Sequence, residues 1–407
     1  MTFILNRGLT EALFEGFFIQ RWNDRIRPVN LTEADKNSSK MMLTLYIGKR
    51  LEDLGRTVEW SNLVDKGVFD ALTRYAISDI SSVVHAKLRE NPDVYVSSIS
   101  KIVIKKYSKL IPEDLMGEYL NYIKREKTEA LTQEDKIIRL SHRLSLRLEY
   151  KIVSSLGYGS FFLPHEEKGE EINSEINQLV SELGLPDFLD HEGRVVSKEL
   201  DLILKLTDRL RYQVRWSQTP RVPQTSVLGH SFYVACCVYF ATKRKHEALR
   251  MVNNFYAALM HDFLEALTRD IISPLKNSSL EFKGQIDQIE RSMLENDLLP
   301  NLEGAYRDYI SILLKDEFSN RAFRNRQSIA FSEANEWEKF DGEIIQAADY
   351  YAALLEAHQS IDLGISSHHL VGAISRLYAT FKSKQSNFSD KEMYNDFLDL
   401  YDSFIDK

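Results

Sequence analysis

Wherever this chain is apolar enough to be buried, its apolar residues recur every three or four positions. "MMLTLYIGKRLEDL" at 41–54, "KIIRLSHRLSLRLEYKIV" at 136–153, "SFYVACCVYFATKRK" at 231–245 and "EIIQAADYYAALLEAHQS" at 343–360 are clear cases. That spacing lines one face of a helix. Convincing alternating strands are scarce, and 17 Gly and 9 Pro in 407 residues leave few places to break a helix. The expected fold class is all-α.

A length of 407 residues allows one to three domains. Residues 158–200 gather Gly, Pro and acidic side chains around "SEINQLVSELG". They read as a linker with a short helix, dividing the chain into 1–157 and 201–407. At 43% apolar and 28% charged residues the chain can bury a core, and its net charge of −8 gives no general attraction to nucleic acid or anionic membrane. No charged-then-apolar leader opens it, and no apolar run reaches about 18 residues, so a cytoplasmic location is the expectation. Cys236 and Cys237 sit side by side in an apolar helix and read as buried thiols rather than metal or redox groups.

The two halves resemble each other. "QRWNDRIRPVN" at 20–30 matches "VRWSQTPRVPQ" at 214–224, and "DALTRYAIS" at 70–78 matches "AALMHDFLE" at 257–265. "IIRLSHRLSLRLE" at 137–149 matches "IIQAADYYAALLE" at 344–356, down to the terminal Glu. Three matches in the same order point to an internal duplication. The copies differ in chemistry: against His230, His261, Asp262 and Asp349 in the second half stand Lys36, Arg74, Tyr75 and His142 in the first. Two cations and a phenol cannot replace an imidazole and two carboxylates around a divalent ion. The first half is thus expected to be a degenerate copy without metal.

"AALMHDFLEALTRD" at 257–270 poses the chemical question. His261-Asp262 interrupts a stretch that otherwise reads as a buried helix, and burying charge without a partner is costly. Asp349 interrupts "IIQAADYYAALL" in the same way, and His230 opens the apolar helix "SFYVACCVYFA". Two imidazoles and two carboxylates suit one divalent ion: Mn²⁺, Co²⁺, Fe²⁺, Zn²⁺ or Ni²⁺. Glu265 is four residues past His261, which puts both on one face of a continuous helix. It is the candidate general acid or base.

This order of residues resembles the HD-domain superfamily of metal-dependent phosphohydrolases, and more closely its bacterial 5′-deoxynucleotidase branch. Arg215-Trp216 stands fifteen residues before His230, as the Arg-Trp pair of that branch does before its first metal histidine. "HDFLEALTRDIISPLK" at 261–276 follows an HDxxE motif, a TGD-like turn and a PxPxK-like tail, and "IQAAD" ends on Asp349. The resemblance covers roughly residues 205–380. It implies an HD-like bundle over 201–407 beside the degenerate one over 1–157. The resemblance also implies removal of the 5′-phosphate from deoxynucleoside monophosphates with one divalent ion, Mg²⁺ included among the candidates. Arg215 would hold the phosphate and Trp216 would wall off a 2′-OH. Asp270 would accept a hydrogen bond from the sugar 3′-OH, and Lys276 would contact substrate. Related helical bundles often pair, so a homodimer is a partner the resemblance allows; the other is the nucleotide itself, with neither membrane nor nucleic acid expected.

The chain departs from that pattern at three points. Gly229 stands where the family usually has an acid, Arg269 stands for the glycine of the turn, and the interval from Asp262 to Asp349 is longer and contains "NRAFRNR" at 320–326. These arginines keep open a larger substrate, a dNTP or a short oligonucleotide. The degenerate first half keeps open a non-enzymatic nucleotide-binding or scaffold role.

Overall fold

The computed structural model describes residues 3–78, 80, 84, 87, 88, 90–128, 130–155, 165–190, 194–269 and 279–405. The chain is all-α. Its helices run in the order α1 (Arg7–Phe14), α2 (Glu33–Asp53), α3 (Trp60–Ile77), α4 (Pro92–Tyr107), α5 (Glu113–Thr128), α6 (Gln133–Ser154), α7 (His165–Leu183) and α8 (Lys198–Tyr212). They continue as α9 (Val227–Thr242), α10 (Ala248–Met260), α11 (Glu265–Thr268), α12 (Leu280–Met293), α13 (Gly304–Leu313), α14 (Gly342–Asp362), α15 (His368–Ser383) and α16 (Lys391–Ile405). No helix among the described residues is long and apolar enough to cross a membrane.

Two helices form the centre. All sixteen residues of α9 are buried, as a helix apolar on every face requires. Most of α2 is buried too, including the polar run from Asp35 to Lys40. The two pack against each other, with α6 on the far side of α2 and α14 against α9. Each starts on a hydroxyl cap: Thr32 accepts from the amide of Asp35, and Ser226 from the amide of Gly229. Ser226 also donates its hydroxyl to Asp35, so the starts of the two central helices are joined. One hydrophobic cluster holds residues from both halves, from Leu43 and Ile47 of α2 to Val234 and Leu354 of α9 and α14.

The close approach of α2 explains one departure noted above. A Cβ at Gly229 would lie 2.7 Å from Phe17, 2.9 Å from the Asp35 carboxylate and 3.3 Å from the Ala34 side chain. An acidic side chain there has no room, and Asp35 of the first half already fills that space.

The same loop geometry occurs twice. Gln20 pairs with Thr32 and Val214 with Ser226 in single antiparallel bridges. Between them Trp22 has φ 55° and Trp216 φ 58°. Left-handed backbone at a tryptophan is strained and persists only where neighbours impose it. Here each indole N–H donates to a buried carboxylate, Trp22 to Glu149 at 2.9 Å and Trp216 to Glu356 at 2.7 Å.

Two segments differ from the sequence reading. The connection over 158–200 contains the nineteen-residue α7, packed on α6, with Ile172, Ile176 and Leu183 in the shared core. Residues 321–340 form a three-stranded antiparallel sheet, β1 (Arg321–Arg324), β2 (Gln327–Ile329) and β3 (Lys339–Phe340), in the order β2-β1-β3. Strands this short show too few alternations to register as a pattern. The arginines of that sheet are already engaged. Arg321 is buried and donates to the carbonyls of Leu313 and Glu317, Arg324 pairs with Glu338, and Arg326 pairs with Asp308.

Glu33, the first residue of α2, is buried and accepts from Arg21 at 2.6 Å and Arg74 at 2.9 Å. Burial opposes its ionisation, but Arg21, Lys36 and Arg74 outweigh that and push the carboxyl down from 4.5 to about 2. A folded pKa below the unfolded one stabilises the fold above the unfolded value and is lost as pH falls through the folded value. The difference is worth about 3 kcal/mol. Stability of the wild type should therefore fall as pH drops from about 5 to about 3, and Glu33→Gln should lose about 3–5 kcal/mol at neutral pH while showing a shallower acid dependence. Chemical denaturation across that range checks this; parallel pH profiles for the two proteins would contradict it.

Candidate metal centre

His230 is the fourth residue of α9, Asp349 lies in the middle of α14, and His261-Asp262 follows the end of α10. The helix expected to run through "MHDFLEAL" stops at Met260. Residues 261–264 form a turn and α11 starts at Glu265. His261 and Asp262 stand at this break, with the His261 Nε2 3.2 Å from the Asp262 Oδ2.

His230, His261 and Asp262 offer donor atoms within 4.8 Å of one another. The Asp349 Oδ1 lies 2.9 Å from the His230 Nε2 and 3.9 Å from the His261 Nε2. The Asp262 Oδ2 lies 3.2 Å from the His261 Nε2 and 3.9 Å from the His230 Nε2. Donors about 2.1 Å from one ion stand about 3.0 Å apart at adjacent octahedral positions and about 3.4 Å apart at tetrahedral ones. His230, His261 and Asp262 thus form a cluster that fits a single divalent ion, and Asp349 lies beside both imidazoles.

The orientation of the imidazoles agrees with this fit. The His261 Nδ1 sits 2.7 Å from the carbonyl of Ala258, which accepts its proton and leaves the Nε2 to face the site. That Nε2 is buried without a hydrogen-bond partner. Burial opposes a charge on His261, yet Asp262 and Asp349 outweigh it and raise the group to about 9. Burial also opposes the charge of Asp262, but His261, His230 and Arg215 hold its carboxyl well below the usual range. A divalent ion would take over the role of the His261 proton and release it.

Behind the ligands stands a residue the sequence reading did not place in the site. Glu356 is buried and accepts from the Trp216 indole at 2.7 Å, from the Thr225 hydroxyl at 2.9 Å and from the Arg215 Nε at 3.4 Å. Its Oε1 is 3.5 Å from the His230 Nδ1. Despite burial, Arg215 and Arg221 hold its carboxyl well below the usual range. Glu356 thus anchors the loop that carries Arg215 and sets its carboxylate beside the His230 ring. The signal was present: Glu356 lies seven residues after Asp349, two helical turns along the same face.

Arg215 reaches the centre, with its Nη1 3.5 Å from the Asp262 Oδ2. Trp216 is half-buried beside it. Glu265 is half-buried at the start of α11, and its carbonyl accepts from the Gln213 side chain at 2.8 Å, which ties α11 to the Arg215 loop. Arg269 has φ 69°, the conformation that glycine adopts without strain. Asp270 and Lys276 lie outside the described residues.

Removing divalent ions with a chelator should lower the melting temperature of the full chain, and Mn²⁺ at about 100 times its Kd should restore about 2.7 kcal/mol of stability. Asp349→Ala should abolish that response, and Glu356→Gln should weaken Mn²⁺ binding about 10- to 100-fold through loss of His230 orientation. Calorimetric titration measures both; Mn²⁺ binding by Asp349→Ala at wild-type affinity would contradict the ligand set.

No curated protein and no solved structure matches the chain. Residues 207–378 match the family described as HD domain, a class of divalent-metal-binding hydrolases in general. The match spans all four candidate ligands, Arg215, Trp216 and Glu356, so this part of the chain is similar to an HD domain.

Proposed function

We propose that the HD domain removes the 5′-phosphate of deoxynucleoside monophosphates. The observation that carries this reading is Arg215, a guanidinium 3.5 Å from the Asp262 carboxylate with 15% of its side chain exposed. A planar cation at the mouth of a metal site suits a bidentate contact to phosphate oxygens. Trp216 follows it in the chain, and its ring is held by the indole bond to Glu356. An immobile ring beside the phosphate site is a means of rejecting the 2′-OH of ribonucleotides.

A divalent ion held by His230, His261, Asp262 and Asp349 would lower the pKa of a bound water and polarise the phosphate. Arg215 binds and orients the phosphate and neutralises charge on its oxygens. Glu265 is the proton carrier, taking a proton from the attacking water or returning one to the leaving 5′-oxygen. Asp270 holds the sugar through its 3′-OH, and Lys276 adds a cation at the substrate. Glu356 keeps Arg215, Trp216 and His230 in register.

Phosphate release from a panel of dNMPs, NMPs and dNTPs with Mn²⁺, Co²⁺ or Mg²⁺ tests this. Wild type should release orthophosphate from dNMPs in preference to NMPs, Asp262→Ala should release none, and Glu265→Gln should lower kcat about 10²- to 10⁴-fold. Trp216→Ala should raise the ratio of NMP to dNMP turnover. Release of triphosphate or pyrophosphate from dNTPs alone would replace the monophosphate assignment.

A further inference from the structure

The first half repeats the site position by position. Lys36 is the fourth residue of α2 and His230 the fourth of α9, each fifteen residues after the arginine of its Arg-Trp pair. His142 precedes Glu149 by seven residues, as Asp349 precedes Glu356. Arg21 and Trp22 both donate to Glu149, as Arg215 and Trp216 do to Glu356. The clamp survives in both halves while the metal-binding groups survive in one.

What replaces them is cationic and incompletely neutralised. The neighbouring carboxylates are taken: Glu33 by Arg21 and Arg74, Glu149 by Arg21 and Trp22, Asp70 by Lys40. Lys36 is 6% exposed, and its side-chain ammonium makes no hydrogen bond or ion pair among the described residues. Burial, with Lys40 and Arg21 beside it, outweighs Glu33 and Asp70 and pushes the Lys36 ammonium down to about 7. His142 is half-buried, its ring makes no hydrogen bond among the described residues, and it lies within reach of the Lys36 charge. A buried ammonium without a partner is costly, and a methionine would pack in its place without that cost. The exposure rises outward, from Lys36 to 14% for the Arg21 side chain and 26% for Arg74, so the cluster opens toward solvent on its arginine side.

We infer that Lys36, Arg21 and Arg74 form a second, non-hydrolytic binding site for a phosphate group, which the first half keeps after losing its metal ligands. The choice of phosphate rests on the reading of Arg215 and Trp216 given above, because Arg21 and Trp22 are their counterparts. Two sources carry that group: free orthophosphate, which the proposed reaction releases, and the 5′-phosphate of a nucleotide. The site binds without turnover, since a lysine and an arginine stand where the imidazoles of the other half would hold an ion. Its occupancy can reach the catalytic half by a short route. Asp35, next to Lys36, accepts from Ser226 at the cap of the helix that carries His230.

The test is equilibrium dialysis of the full chain, freed of divalent ions, against orthophosphate and separately against dAMP. Wild type should bind at least one of the two probes, and Lys36→Met should weaken that binding about tenfold or more. The retained probe identifies the source. Lys36→Met should keep metal-dependent hydrolysis and a single cooperative melting transition; if it does not fold, Lys36→Gln takes its place. No binding of either probe by wild type, or equal binding by wild type and the Lys36 variant, overturns the inference. The two readings fail separately: hydrolysis without Lys36-dependent binding removes this one alone, and Lys36-dependent binding without hydrolysis removes the nucleotidase reading alone.

Discussion

A buried carboxylate, Glu356, is the interaction on which the site depends. It has no solvent to stabilise its charge, so it must be satisfied from within. It draws in the Trp216 indole, the Thr225 hydroxyl and the Arg215 guanidinium, and it stands behind the His230 ring. Those four partners come from two ends of one loop and the helix that follows it. Fixing them on one acceptor sets the strained backbone at Trp216, the approach of Arg215 to Asp262 and the direction of the first imidazole. Removing that carboxylate would leave buried donors unsatisfied as well as a histidine free to turn.

Charge balance explains why the centre asks for a metal. Two carboxylates, Asp262 and Asp349, meet two imidazoles in a place from which water is largely excluded. Without an ion, a proton on His261 must serve as the counter-charge, and its raised pKa expresses that demand. A divalent cation meets the same demand with four bonds instead of one proton. The first half answers a similar arrangement differently. There the cation is covalent, a lysine at the position of His230, with Arg74 bonded to Glu33 nearby. The two halves are bound to each other through charge as well as core, since Arg211 of α8 approaches Glu149 and Ser226 meets Asp35.

The helical class was legible because 3.6-residue periodicity needs no tertiary context to be seen. His230, His261, Asp262 and Asp349 stood out in the sequence because a polar residue inside an apolar helix has few inexpensive explanations. The pairing of Glu149 with Glu356 was visible as a match between segments, but its meaning was not, since a glutamate at the end of an apolar run usually reaches solvent. The end of α10 at Met260 was hidden, because no Gly or Pro marks it; Leu264, Ala266 and Leu267 keep the helical spacing going past the turn. The packing of α7 into the shared core was masked by the Gly, Pro and acidic residues on either side of it. Gly229 read as a defect in the motif, and only the approach of Phe17 and Asp35 from the other half gives its reason.

In the proposed centre one divalent ion joins His230, His261, Asp262 and Asp349. Anomalous diffraction from crystals of the full chain grown with Mn²⁺ tests it most directly. The account predicts one strong peak about 2.0–2.3 Å from the Nε2 atoms of both histidines and from one oxygen of each aspartate, with Glu356 outside the coordination sphere. A peak that leaves Asp349 uncoordinated, or none at this position while Mn²⁺ is bound elsewhere, would contradict it.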